Sequence, residues 1–155
     1  MKRILPYFSF QGRTNRRRYW EVVVTLMVLS FLAALVFTMS LRIPLVGFLF
    51  GIGLIGVIVT AFVAALANGA RRLHDRGKSA WWLLVFSGVP MLLGVLRALV
   101  ELSSPDAEGP AGVVALVSLG FSIWALVELG ILKGVAGPNR FGEDPLPTPS
   151  EPATA

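Results

Sequence analysis

The residues able to do chemistry are concentrated in one stretch, Asn68-Gly-Ala-Arg71-Arg72-Leu73-His74-Asp75-Arg76-Gly77-Lys78-Ser79, which runs straight into Trp81-Trp82. It holds the single histidine of the chain. A histidine beside a carboxylate suggests acid–base work, because the carboxylate raises the imidazole pKa toward neutrality. Clustered arginines suggest an anion site instead, since a guanidinium fork binds phosphate or carboxylate through two parallel hydrogen bonds. If the stretch is helical, adjacent residues point about 100° apart, so His74 and Asp75 do not form a direct dyad. Asn68, Arg71, Arg72 and Asp75 then fall at i, i+3, i+4 and i+7 on one face, where Arg71 and Asp75 can pair, and Gly77 is placed to end the helix in a left-handed cap. The hydroxyls of Ser79 and Thr14 read as turn or interface groups, and no catalytic residue is assigned.

Several chemistries drop out on composition. The absence of cysteine removes disulfides, thiol catalysis and thiolate metal sites, and one histidine cannot make a histidine cluster. The carboxylates Glu21, Asp75, Glu128, Glu143 and Asp144 are scattered over separate segments, so neither a metal site nor a cofactor is expected. Gly51-Ile-Gly53-Leu-Ile-Gly56 spells the dinucleotide fingerprint, which works only in a turn between a strand and a helix. Here it lies inside an apolar run. Gly47-xxx-Gly51, and Ala61, Ala65 and Gly69 at fourfold spacing, read as small faces for close helix contact in lipid, with the second helix central. A net charge of +5 would suit a nucleic-acid binder. The arginines sit at the ends of apolar runs rather than along one face, so no nucleic acid is expected as a partner.

The elements that must position these residues are membrane spans. Hydrophobic residues make up 55% of the 155-residue chain and charged residues only 15%, far from the balance of a soluble domain. Four apolar runs qualify: Val22 to Met39, Pro44 to Ala70, Trp81 to Leu96 extending toward Val100, and Ala111 to Leu132. A helix needs about 20 residues to cross the hydrocarbon core, and continuous rather than alternating apolarity rejects barrel strands. The first run is read as a retained span, since no small-x-small cleavage pattern follows it. Glu128 interrupts the fourth run near its end, close to Lys133, where it is expected to reach the interface or pair with an arginine. Asn15 is placed to cap the first helix, and Arg97 and Glu101 to pair.

With four spans, twelve lysines and arginines fall on the side of both termini and two, Arg42 and Arg97, on the other. This asymmetry predicts that both termini are cytoplasmic, with Tyr19, Trp20, Trp81 and Trp82 as anchors at the headgroup level.

Three segments together resemble the bacterial inner-membrane family known as domain of unknown function 805. They are Phe10-Gln-Gly-Arg13-Thr-Asn15-Arg16-Arg-Arg-Tyr19-Trp20, then Ala70 to Trp82, then Gly134-Val-Ala-Gly137-Pro-Asn139-Arg140-Phe141-Gly142-Glu143-Asp144-Pro145. The likeness covers roughly residues 8 to 145. Val135 and Glu143 stand where the family often has threonine and proline. The resemblance implies a small cytoplasmic-membrane protein with four spans and no assigned activity.

The resulting expectation is an all-α integral membrane protein, four transmembrane helices in a bundle with both termini inside. Residues 1–21 form a basic cytoplasmic leading segment, 22–132 the membrane domain with a cytoplasmic loop at about 71–80, 133–145 a Gly/Asn/Pro closing motif, and 146–155 a disordered tail. The leading function is non-enzymatic. A basic cytoplasmic face formed by Arg13, Arg16, Asn68, Arg71, Arg72, His74, Asp75, Asn139 and Arg140 binds an anionic headgroup, a small anion or a partner protein. Anionic membrane lipids are the expected partners, with a homo-oligomer or a protein partner as further options. The competing readings are a subunit of an oligomeric transporter or channel, whose pathway could draw only on Thr25, Ser30, Ser118 and Ser122, and a membrane-embedded lipid-modifying enzyme.

Overall fold

The computed structural model describes residues 7–103 and 108–146, so most of the expected tail lies outside the described residues. Within them the chain is helical apart from turns and one isolated bridge between Asn139 and Gly142. Four helices are long and apolar enough to cross a membrane.

Helix α1 spans Arg16–Ser40. It starts before the first apolar run because Asn15 caps it, its side chain accepting from the Arg18 N–H at 2.9 Å. The arginine run is therefore the first turn of the helix rather than a loop. Helix α2 spans Pro44–Asp75, opening on a proline whose fixed φ suits the first turn. It carries the polar stretch as a continuation of the span. It ends at Gly77, with φ of +72°. The Gly77 N–H donates to His74 O at 3.0 Å and the Lys78 N–H to Leu73 O at 2.8 Å, the paired bonds of a Schellman cap.

The third span begins with a π-helical segment, Leu84–Gly88, and continues as α3, Val89–Ser103. Pro90 accounts for the wider turn. Its ring clashes with the carbonyl four residues back, and the Val89 N–H just before it bonds five back, to Leu84. Helix α4, Glu108–Ala125, runs on into a second π-helical segment, Leu126–Ile131.

Helices α1 and α2 pack as one hairpin, α3 and α4 as another. Of the fourth helix, only the π-helical end, Leu126–Ile131, approaches α1 and α2. The hairpins thus join at the end that carries the polar stretch, hereafter the basic end, rather than along their whole length. Leu73, Phe86 and Leu129 form the buried apolar nucleus there, with Tyr19, Leu83 and Ala125 packed against it. Elsewhere the spans turn large apolar side chains outward, Phe31, Phe48, Leu92 and Leu116 among them, as a lipid-facing surface requires.

The small residues of α2 divide between partners. A Cβ on Gly47 would meet Ser40 O and Leu41 Cα at 3.3 Å, and one on Gly51 the Phe37 ring at 3.3 Å, so both glycines bring α2 onto α1. Gly69 faces Leu83, at the start of the other hairpin. Ala65, expected on that small face, is exposed, while Ala64, Ala67 and Ala70 are buried. A fourfold spacing drifts about 40° per step around a helix of 3.6 residues per turn, which carries Ala65 off the contact.

A polar clasp at the basic end

A helix leaves its last carbonyls without intrahelical partners, and in a low-dielectric setting each must find a donor. At the end of the fourth helix those donors are side chains from elsewhere. Arg72 Nε donates to Leu129 O at 2.8 Å, Trp20 Nε1 to Gly130 O at 3.0 Å and Arg16 Nη1 to Ile131 O at 2.9 Å. Arg72 Nη2 takes Leu132 O, Arg76 Nη1 takes Lys133 O, and Arg13 takes the carbonyls of Val135 and Gly137 at 2.6 Å each. Cations at a helix C-terminus also oppose its negative dipole end.

Asp75 anchors this network. Its carboxylate accepts from Arg72, three residues back, and from Arg13 at 3.0 Å, and the three side chains are almost wholly sealed from solvent. Arg71, the expected partner, does not pair with it. Its Nε makes a single long bond to Ala67 O at 3.4 Å, and its carbonyl accepts the Thr14 N–H. The shared face holds, but Arg72 at i−3 wins the carboxylate because Asp75 must also meet Arg13. The Asp75 carbonyl accepts the Val135 N–H at 2.8 Å, and Gly134 lies so close to the carboxylate that a Cβ there would overlap it. Because Val135 contributes only backbone groups, its departure from threonine leaves these bonds intact.

A second carboxylate, Glu128, is buried and pairs with Arg76 at 3.1 Å and Lys78 at 2.9 Å, joining the fourth helix to the turn after α2. Nothing in the residue spacing pointed to these partners, which lie some fifty positions away in sequence. Gly130 and Gly134 were likewise missed, whereas Thr14, read as a turn or interface residue, is buried at the junction with its N–H on Arg71 O. For Gly134 its place in a polar, glycine-rich closing motif was the available signal for the close approach.

His74 turns away from Asp75. Its Nδ1 lies 3.1 Å from Gly12 O, and its ring stacks on Phe141 with centroids 4.0 Å apart. Asn139 Nδ2 donates to His74 O at 3.0 Å, and the Arg140 guanidinium lies over Phe141, 4.6 Å from the ring centroid. Asn68 is set apart, deeper on α2. Its Nδ2 donates to Tyr19 O at 3.1 Å, and its Oδ1 is the one buried side-chain polar atom without a partner among the described residues. The three segments therefore do meet. Arg13, Arg72, Asp75, His74, Asn139 and Arg140 gather around the end of α2, Arg16 joins through the fourth helix, and Arg71 and Asn68 face α1 and the leading segment.

Of the aromatic anchors, Trp81 is 77% exposed, Trp82 and Trp20 remain partly exposed while stacking on Phe86 and bonding Gly130 O respectively, and Tyr19 packs against the junction's apolar nucleus. The closing motif is pinned by Asp144, which accepts from the N–H groups of Gly137 at 2.7 Å and Leu146 at 3.0 Å. Those two bonds hold its carboxyl below the usual aspartate range. Beside the clasp lies an open groove of about 570 Å³, with Asn15, Arg16, Arg17, Lys133, Gly134 and Asp144 in its wall.

The chain matches the model of the family described as "Protein of unknown function (DUF805)" over residues 7–143. It is 27% identical over 147 residues to the inner membrane protein YhaH of Escherichia coli, covering 94% of this chain and 93% of that one. It is 26% identical over 140 residues to the inner membrane protein YhaI of the same organism, covering 90% and 87%, and 27% identical over 143 residues to its uncharacterized protein YiiR, covering 88% and 86%. No solved structure matches it. All three sequence segments that build the clasp fall almost wholly within the matched residues, and the chain belongs to the DUF805 family of membrane proteins.

Proposed function

We propose that this is a non-enzymatic protein of the bacterial inner membrane, with both termini in the cytoplasm, whose basic end binds a phosphate-bearing anion, free or as a lipid headgroup. The binding groove adjoins the clasp and shares Arg16 and Asp75 with it. Arg13 and Arg72 are occupied by carbonyls and by Asp75, so their charge holds the two hairpins together. The observation that carries the binding function is the neighbouring groove, lined by Arg16, Arg17 and Lys133 beside two carboxylates that are already engaged, Asp75 by Arg13 and Arg72 and Asp144 by two backbone N–H groups. The Arg17 side chain is 91% exposed and pairs only with the open Glu21, and Lys133 has no ion-pair partner among the described residues. Inward positive charge at this end also fits the asymmetry that sets orientation.

Transport receives less support. Thr25 and Ser122 return their hydroxyls to carbonyls of their own helices, at Glu21 and Ser118, instead of facing a shared path.

The test is isothermal titration of the purified protein, in phosphatidylcholine nanodiscs, with inorganic pyrophosphate. The doubly substituted Arg17→Gln/Lys133→Gln protein should lose the binding while keeping its helical circular dichroism. Binding of equal strength in the two proteins would overturn the assignment, and so would no binding by the wild type to either pyrophosphate or phosphatidylglycerol-containing discs.

A further inference from the structure

A second groove, of about 320 Å³, lies between α1 and α2, apart from the one described above. Its α1 wall is Arg18, Val22, Thr25 and Leu29, a stripe at helical spacing, and its α2 wall includes Thr60 and Ala64. From Arg18 to Leu29 this wall runs about 16 Å along the helix. The lining is chiefly apolar except at the basic end, where Arg18 and Tyr7 stand over it. Glu21 also lines it and is held by Arg17.

Arg18 has no carboxylate partner among the described residues, and neither does Arg71. Arg71 continues the Thr60–Ala64 stripe of α2, is 7% exposed, and stands close enough to Arg18 to repel it. An unneutralised guanidinium in the wall of an apolar channel, Arg18, with the charge of Arg71 beyond the wall, is complementary to a phosphate carrying a hydrocarbon chain. A zwitterionic headgroup brings its own cation and relieves the repulsion less.

We infer that the α1–α2 groove is a selective site for an anionic phospholipid, its phosphate at Arg18 and Tyr7 in the field of Arg71 and one acyl chain along Val22, Leu29 and Ala64. Of the groups assigned to the other groove, only Arg17 touches this one, through its pair with Glu21.

Native mass spectrometry of the full chain in detergent, supplied with phosphatidylglycerol and phosphatidylcholine of matched chains, tests it. Wild type should retain phosphatidylglycerol about fivefold over phosphatidylcholine, the scale expected of one arginine at a membrane surface. Arg18→Gln should bring the ratio to parity, and Arg18→Lys should restore part of it. Lys133→Gln, which alters only the other groove, should leave the ratio unchanged. Equal retention of both lipids by the wild type, or a preference that survives Arg18→Gln, overturns the inference. A preference lost with Lys133→Gln also overturns it, and places the headgroup in the other groove.

Discussion

Arg72 and Asp75, one turn apart on α2, form an ion pair sealed from solvent, and Arg13 closes it from the leading segment. Gly134 lies against the same carboxylate. Removing one partner of a buried pair leaves the other charge uncompensated, which costs about 3–5 kcal/mol. Asp75→Asn should therefore lower stability by that order in detergent unfolding. Gly134→Ala displaces the same carboxylate, so the double variant should be much less than additively worse. Additive losses, or an Asp75→Asn protein as stable as wild type, would show that the clasp does not hold the hairpins together.

Gly130 of the fourth helix and the pair Gly53 and Gly56 of α2 should respond in opposite ways. At Gly130 a Cβ would come within 2.6 Å of the Trp20 ring, whose indole N–H holds the Gly130 carbonyl. Gly130→Ala should cost about 1–3 kcal/mol by overpacking and quench or shift the Trp20 fluorescence. Gly53 and Gly56 have nothing within 4 Å. Alanine there should be neutral or stabilise by up to about 1 kcal/mol through helix propensity, which a nucleotide-binding turn would not tolerate.

Asp144 makes the closing motif pH-sensitive. Its pKa is lowered in the folded chain by the N–H groups of Leu146 and Gly137, so the order it confers is complete above the ordinary aspartate pKa. That order is lost as the pH falls through the lowered folded value. Amide exchange at Gly137 and Leu146, corrected for intrinsic rates, should stay slow at neutral pH and accelerate only in acid. Asp144→Asn should be fast and pH-independent. Slow exchange in the variant would remove the carboxylate from the account.

Orientation is checked by reporter fusions. Alkaline phosphatase fused after Gly142 should be inactive and a fluorescent protein there bright, while phosphatase fused after Ser103 should be active. Phosphatase activity at Gly142 would reverse the N-in, C-in topology.

The span count followed from runs of apolar residues too long for anything but membrane helices, and local chemistry was legible too. Asn15 caps α1, Gly77 ends α2, and Arg97 pairs with Glu101, all governed by neighbours within one turn. The segregation of Asn68, Arg71, Arg72 and Asp75 to one face was likewise a matter of helical period. What a short-range pattern could not reveal was who answers each charge. Asp75 exchanged the expected Arg71 for Arg72 and Arg13, and Glu128 found Arg76 and Lys78 across the junction.

By itself the sequence determined a four-helix membrane chain with one basic end, because burial in lipid and helical period act locally along the chain. Only the tertiary structure decided that Arg13, Arg16, Arg72 and Arg76 are engaged by carbonyls at and just beyond the end of the fourth helix, while Arg17, Lys133 and Arg18 stand at the grooves. The unfilled hydrogen bonds of a helix end become a demand on other side chains only when the chain is folded and those side chains are within 3 Å.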